Sequence, residues 1–315
     1  MNCLVLGGTG FIGRHLCAAL AAAGHRVRAF ARIPHGQGSA GWPEIAGVQW
    51  QAGDFRSQAD LALALEGMDI VFHLVSATIP KTSNDNPLFD LQANVTATLQ
   101  LLNLMVRQSA SARIIFLSSG GTVYGVSQTS PLPEDHPTEP LCAYGIGKLA
   151  MEKYLALYHR LHGLDFLVLR LANPYGEGQR PNAGQGVIPA FLWKALHQEP
   201  LEIWGDGSVV RDYIHIDDAV AAIIAAVGYC GKERIFNVGG GTGCSLREIV
   251  AIIGELCGHE VACRYLPGRA CDTPVNILDI GRAQSELGWQ PNVTLREGMA
   301  RLVSSLRAFG KVPRP

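Results

Sequence analysis

Short apolar runs alternate along the chain with longer stretches whose apolar positions recur every three or four residues. The run "NCLVLG" (2–7) is apolar almost throughout, and a helical spacing follows from about Phe11 to Ala23. "HRVRAFA" and "VQWQAGD" read as a second and a third strand, and after a short helical stretch "DIVFHLV" reads as a fourth. A helical pattern from about Leu88 to Ser109 leads into "RIIFLSS", and another from Tyr144 to about Leu161 leads into "DFLVLRL". Strands that are apolar along their whole length are buried on both faces, and alternation with helices joins them in parallel. The pattern therefore predicts an α/β fold, a Rossmann-type doubly wound parallel sheet over residues 1–173. After Asn173 the rhythm breaks at "NPYGEGQRPNAGQG". A smaller mixed C-terminal substrate lobe is expected over 174–315, with residues 211–240, which include "DDAVAAIIAAV", packing back on the sheet.

Composition narrows the classes of partner. Of 315 residues, 48% are hydrophobic and 17% charged, enough apolar material for a sizeable core. The net charge is −1 with no run of lysine or arginine, so neither nucleic acid nor an anionic membrane has an electrostatic footprint to meet. Eight cysteines show no C-x-x-C pair and no His/Cys ligand spacing, which speaks against a metal centre or a disulfide framework. Cys17 and Cys257 fall inside apolar helical patterns and read as small buried hydrophobes. The opening "MNCLVLGG" has no basic segment before it, and no apolar run nears the ~18–20 residues that span a bilayer. A cytoplasmic protein is expected.

Chemistry enters with "GGTGFIG", in which Gly7, Gly10 and Gly13 carry a G-x-x-G-x-x-G spacing between a strand and a helix and enclose Phe11 and Ile12. Glycines there permit a tight turn and let backbone N–H groups approach a pyrophosphate at a helix N-terminus. The acidic residue that would hold the adenosine ribose is absent: Ala31 occupies its place and Arg32 follows. Arg32 is either a solvated surface residue or the partner of a 2′-phosphate, which would favour NADP over NAD. Asp54, followed by Phe55, is either an adenine-edge acceptor or a helix N-cap.

Further along, "HLVSA" follows the fourth strand, Asn94 lies in the long helix, and "SSGGTVYG" (118–125) ends the fifth strand. Then come Tyr144 and Lys148 four apart, "NPYG" and "RDYIHIDD". Together with the glycine loop these resemble the extended short-chain dehydrogenase/reductases, and among them the nucleotide-sugar epimerases of the UDP-glucose 4-epimerase kind. The likeness covers essentially the whole chain. It implies a bound NAD or NADP in contact with the glycine loop, Arg32, Asp54, Phe55, Leu74, Asn94, Ser118, Tyr144 and Lys148. It also implies transient oxidation at sugar C4, with Tyr144 as the proton-transfer group and Lys148 lowering its pKa and holding the nicotinamide ribose. Physical chemistry agrees: a phenol of pKa near ~10 is a poor base at neutral pH, and a cation one helical turn away favours its phenolate.

The chain departs from the family at Gly120, where a Ser or Thr usually stands. Thr122, with Ser119 second, is expected to bond the substrate hydroxyl, unless both serve the turn backbone. The Gly120-Gly121-Thr122 turn also lacks the acid and base a 4,6-dehydratase needs. Asn173, Arg211 and Arg269 match positions that hold the nucleotide diphosphate, and "GVIPAF", with Val187, resembles the segment that closes over the uridine. Asn276 matches a position that gates sugar size, while Trp204 reads as core filler. Arg14 and His15 read as solvated or capping, and His73 and His215 as satisfied structural histidines. The resemblance further implies a homodimer through the helices near 88–108 and 144–161. Two rival functions remain open, an NADPH-dependent 4-keto-sugar reductase and a non-catalytic dinucleotide sensor.

Overall fold

Period-two alternation in the first strand, β1 (Asn2–Leu6), sends Cys3 and Val5 to one face and Leu4 and Leu6 to the other, all fully buried. Both faces must therefore be covered. In the computed structural model, which describes residues 1–33, 42–108, 111–126, 129–181, 186–268 and 273–309, they are. Helix α1 (Phe11–Ala22) follows β1, and β2 (Arg26–Ala31) and β3 (Val48–Ala52) complete one wing of the sheet. The other wing holds β4 (Ile70–His73), β5 (Arg113–Ser119) and β6 (Phe166–Leu171). Between them lie α2 (Gln58–Leu65), α3 (Pro80–Ser83), α4 (Pro87–Asp90), α5 (Ala97–Gln108) and α6 (Ala143–His162).

The chain continues with β7 (Asn173–Tyr175), α7 (Val187–Leu196), β8 (Leu201–Trp204), β9 (Val210–His215), α8 (Ile216–Val227) and β10 (Ile235–Val238). The chain ends with β11 (Gly243–Ser245), α9 (Leu246–Cys257), β12 (Cys263–Leu266), β13 (Val275–Asn276), α10 (Gly281–Leu287) and α11 (Leu295–Phe309).

The main sheet is parallel, in the order β10-β6-β5-β4-β1-β2-β3. Strand order reverses between β1 and β4, where Leu6 faces Phe30 on one side and His73 on the other. In open α/β sheets a crevice opens at the carboxyl ends of such a pair, and ligands bind there. On one face Leu16, Cys17 and Leu20 of α1 meet Ala219, Ala222 and Ile223 of α8 in one core. On the other, Leu61, Leu101, Met151 and Leu155 bring α2, α5 and α6 onto Leu4, Leu6 and Phe30. The seventh strand, "IFNV", comes from beyond the predicted end of the sheet. Its short run after a glycine-bearing loop does not distinguish it from a lobe strand.

The long helix expected from Leu88 to Ser109 is composite. A π-helical segment, Leu91–Thr96, joins α4 to α5, and Asn94 lies within it. A third core, with Ile188, Leu192, Ile249, Ile253, Met299 and Leu302, unites α7, α9 and α11. A four-stranded sheet around β9, with β7, β11 and β13, is tied to the segment after the carboxyl end of β10 by Asp212. The Asp212 carboxylate accepts from the backbone N–H groups of Gly240 and Leu278.

Candidate active site

The turn after β1 is a backbone cradle. Gly7 sits at φ +91°, a region side chains avoid, and a Cβ on Gly13 would lie 2.2 Å from the Gly7 carbonyl oxygen. Gly10 is the N-cap of α1 and has no side chain with which to satisfy the first N–H groups. Phe11 and Ile12, in the first turn, lean into the core beside α1. Leu74 follows β4 alongside, its carbonyl carbon 3.5 Å from where a Gly7 Cβ would sit. Sequence reasoning passed over Gly8, whose Cβ would fall 2.8 Å from that of Ala29. Such a turn leaves backbone N–H groups open to an anion such as a dinucleotide pyrophosphate.

At the ends of β2 and β3, Arg32 is exposed, and the Asp54 carboxylate is gripped by Arg56, with Nε–Oδ1 at 3.0 Å and Nη2–Oδ2 at 2.6 Å. Arg56, with a smaller share from Arg32, holds the Asp54 carboxyl down at about 2. The helix-cap reading of Asp54 fails, because Ser57 is the N-cap of α2 and accepts from the Asp60 N–H. Phe55 is buried against the His73 ring, 4.9 Å between centroids. His73 in turn bonds Thr98 Oγ1 through Nε2 at 2.8 Å, but its buried Nδ1 has no partner among the described residues. It is thus only half satisfied, and burial, with the Lys148 charge nearby, pushes it down to about 3.

Asn94 is wholly engaged. Its Oδ1 accepts from the Ala77 N–H at 2.8 Å, and its Nδ2 donates to Thr78 Oγ1 and Asp90 Oδ1, both at 3.1 Å. The π-helical turn aims this amide at the loop after β4 and fixes the loop's path. Such turns recur at functional sites.

Two side chains of a distant segment cap α6: Ser83 Oγ accepts from the Tyr144 N–H at 3.0 Å and Asn84 Oδ1 from the Ala143 N–H at 2.9 Å. Gly145 lets the helix dock on the hydroxyl turn, since a Cβ there would stand 2.6 Å from the Thr122 carbonyl oxygen. Lys148, one turn on, is 4% exposed and donates from Nζ to the Leu117 carbonyl at 2.7 Å. Its ammonium lies 4.7 Å from the centroid of the Phe116 ring and 5.7 Å from that of Tyr144. Burial lowers it to about 8, against the raising influence of the Glu152 and Asp90 carboxylates. Burial also holds the Tyr144 phenol above its ordinary value, with smaller upward contributions from Cys142 and Asp90. As the protein stands Tyr144 is a neutral donor.

In the turn "SSGGTVYG" the hydroxyls have separate fates. Ser118 turns inward and donates to Glu152, whereas Ser119 remains half-buried at the strand end. Thr122 Oγ1 is buried with no hydrogen-bond partner among the described residues, so it does not serve the turn backbone. At Gly120 a Cβ would meet Leu278 Cδ1 at 2.5 Å and Cδ2 at 2.9 Å. Asn276 donates from Nδ2 to the Gly120 carbonyl at 3.1 Å, and its own Oδ1 is buried without a partner among the described residues.

Beyond this turn opens a cavity of about 220 Å³ lined by Asn173, Val187, Trp204, Arg211, Tyr213 and Leu246, among others. That is below the ~300–1,000 Å³ of a pocket enclosing a whole drug-sized ligand, so it suits one end of an extended molecule. Arg211 Nη1 donates to the Thr273 carbonyl at 2.7 Å, and Asn173 Nδ2 to that of Asp212 at 2.7 Å. Trp204 corrects the core-filler expectation: it is 40% exposed and forms a wall of the cavity. Arg269 lies outside the described residues. Arg14 and His15 also differ from expectation, since they neither cap nor stand in solvent. Arg14 donates to the Gly178 carbonyl, and His15 Nε2 meets that of Glu177 at 2.9 Å, latching the 176–180 loop to α1. His215 is satisfied on both ring nitrogens, by Glu177 Oε2 at 3.0 Å and the Asp217 N–H at 3.3 Å.

A glycine cradle at the switch point, a Tyr/Lys pair on the helix beside it and a cavity under a second sheet define an extended short-chain dehydrogenase/reductase. Residues 3–239 match the NAD dependent epimerase/dehydratase family, and the chain belongs to it. It is 36% identical to the UDP-glucose 4-epimerase of Mycolicibacterium smegmatis over 315 residues, covering 98% of this chain and 99% of that one. It is 38% identical over 237 residues to a dTDP-4-dehydro-6-deoxyglucose reductase of Escherichia coli, covering 75% and 74%. The solved UDP-glucose 4-epimerase of Thermotoga maritima with UDP-glucose superposes with a TM-score of 0.92 at 32% identity, covering 99% of this chain and all of that one. Because a methyl on Gly13 would collide with the Gly7 carbonyl, Gly13→Ala is expected to weaken NAD and NADP binding at least tenfold in calorimetric titration; parental affinity would refute the cradle.

Proposed function

We propose that this enzyme inverts C4 of a nucleotide-diphosphate hexose, with UDP-sugars as the substrate class. The observation that carries the reading is the buried Lys148 ammonium one helical turn from Tyr144, docked through Gly145 on the Thr122 turn. Gly7, Gly10, Gly13 and Lys148 would hold the dinucleotide, with Asn94 fixing the loop after β4 beside it, and the dinucleotide when bound supplies the hydride acceptor and a positive ring charge. With that charge added to the Lys148 ammonium, the Tyr144 phenol is drawn down to where it exchanges a proton with the sugar 4-hydroxyl. Thr122 Oγ1, without a partner among the described residues, bonds the same hydroxyl, and Ser119 stands close to it in the turn. Asn173 and Arg211 hold the diphosphate and Val187 closes over the base, so that the 4-keto sugar turns about that anchor and presents its other face. Arg269 belongs to the same anchor by its place in the sequence.

A second reading, net reduction of a 4-keto sugar, is favoured by the 38% identity to the reductase and by Arg32 where a ribose-binding acid would stand. Among the described residues no helix is long and apolar enough to cross a membrane. The enzyme is a homodimer. Leu88, Phe89 and Leu91 on one helical run and Ile146, Leu157 and Leu161 on α6 stand exposed, as a face between subunits requires.

Three measurements test these statements. Incubation with UDP-, GDP-, CDP- and dTDP-hexoses is expected to give the C4 epimer of a UDP-sugar without consuming NADPH, and Tyr144→Phe to lower kcat by ~10²–10⁴. Stoichiometric NADPH oxidation would install the reductase instead. Arg32→Ala is expected to weaken NADP binding several-fold and leave NAD unchanged; equal effects on both would remove the 2′-phosphate role. Light scattering is expected to return twice the chain mass of 33.8 kDa, and a monomer would refute the dimer.

A further inference from the structure

Beneath α6, away from the cavity, lies a buried ionic cluster for which the reaction above has no use. Glu152 is 3% exposed and Arg170, on β6, is 2% exposed. Arg170 grips the Glu152 carboxylate from Nη2 to Oε2 at 2.8 Å and from Nε to both oxygens at 3.2 Å. The remaining Arg170 nitrogen, Nη1, donates to Tyr124 Oη and to the Glu134 carbonyl, both at 2.9 Å. Tyr124 passes its own proton to Asn237 Oδ1 on β10 at 2.6 Å. The carboxylate also accepts from Ser118, the residue after Leu117, whose carbonyl holds the Lys148 ammonium. Glu152 is i+4 from Lys148, so the two share a helix face.

A buried ion pair of this kind is weak evidence for stability, since well-packed apolar residues often replace one at no loss. Its placement is what calls for an account. One carboxylate touches the strand end that carries the ammonium's acceptor and stands one turn from the ammonium itself.

We propose that Glu152 is a positioning residue of the active site: clamped by Arg170, its carboxylate fixes the Leu117–Ser118 strand end that receives Lys148 and supplies the counter-charge that keeps the ammonium protonated. The groups facing Lys148 are few. Tyr144 and Glu152 come from α6, Asp90 from α4, His73 from β4, and the Phe116 ring with the Leu117 carbonyl from β5. His73 is neutral, so Glu152 and Asp90 are the two anionic groups of the set, and of these Glu152 has the larger influence on Lys148.

Replacing Glu152 by Gln keeps the shape, removes the negative charge and leaves the Arg170 cation uncompensated. Both changes lower the affinity of Lys148 for its proton. Lys148 titrates at about 8, so in the parent the active cation is lost as pH rises through that value. In Glu152→Gln the loss comes at lower pH.

The test is a ¹³C-lysine NMR titration of the protein without substrate, the Lys148 signal being identified by its disappearance in Lys148→Arg. The Lys148 midpoint is expected to fall by about one pH unit in Glu152→Gln. A Glu152→Met/Arg170→Met double variant, which loses both charges at similar volume, is expected to fall between that and the parent, and covers the case in which Glu152→Gln does not fold. The alkaline limb of the kcat profile should move with the NMR midpoint while KM stays within two-fold. A parental midpoint in either folded variant overturns the proposal. The NMR arm needs no substrate, so it stands or falls separately from the sugar specificity on which the kinetic arm rests.

Discussion

Removing an ammonium from water costs several kcal/mol unless partners replace the lost hydration, and the fold meets that cost at Lys148 in three ways. A strand-end carbonyl accepts one of its protons, an aromatic face lies under it, and two carboxylates stand near. The carbonyl and the ring come from β5 and the carboxylates from α6 and α4, so the ammonium is stable only when these three elements are assembled together. The phenol one turn earlier inherits that placement. Around the pair, the β1–β4 switch point and the glycine cradle decide where a dinucleotide lies, and the lobe sheet around β9 decides where the other ligand ends.

Much of this was legible before any coordinates. Six runs with helical spacings between them gave the sheet its first six strands: β1, β4, β5 and β6 are apolar nearly throughout because both their faces are buried, whereas β2 and β3, toward the sheet edge, are only partly covered. The glycine spacing located the cradle, since only a residue without Cβ fits where a backbone oxygen would be 2.2 Å away. Tyr144 and Lys148 were readable because a four-residue interval has one geometric meaning on a helix.

What escaped depended on contacts between distant segments. No local pattern says that the Asp54 carboxylate belongs to Arg56, that Arg14 and His15 reach residues more than 160 positions away, or that Trp204 lines a cavity. The π-helical turn at Asn94 was likewise invisible, for no residue type in Leu91–Thr96 marks the change from i→i+4 to i→i+5 bonding. Strand β10 was missed for a different reason: four residues are too few to show whether a run joins the main sheet or the lobe. Ser118 and Ser119 look alike in sequence, yet the pleat sends one hydroxyl to Glu152 and leaves the other at the edge of the site.

The glycine at 120 and the leucine at 278 constrain one another. The Leu278 methyl groups occupy the space a side chain at 120 would need, and Asn276 donates to the Gly120 carbonyl. A side chain at 120 alone would meet a wall of packed methyl groups, and a trimmed 278 alone would leave a hole. The two positions, 158 residues apart in the chain, are therefore coupled in size: an enlargement at one is tolerated only with a reduction at the other.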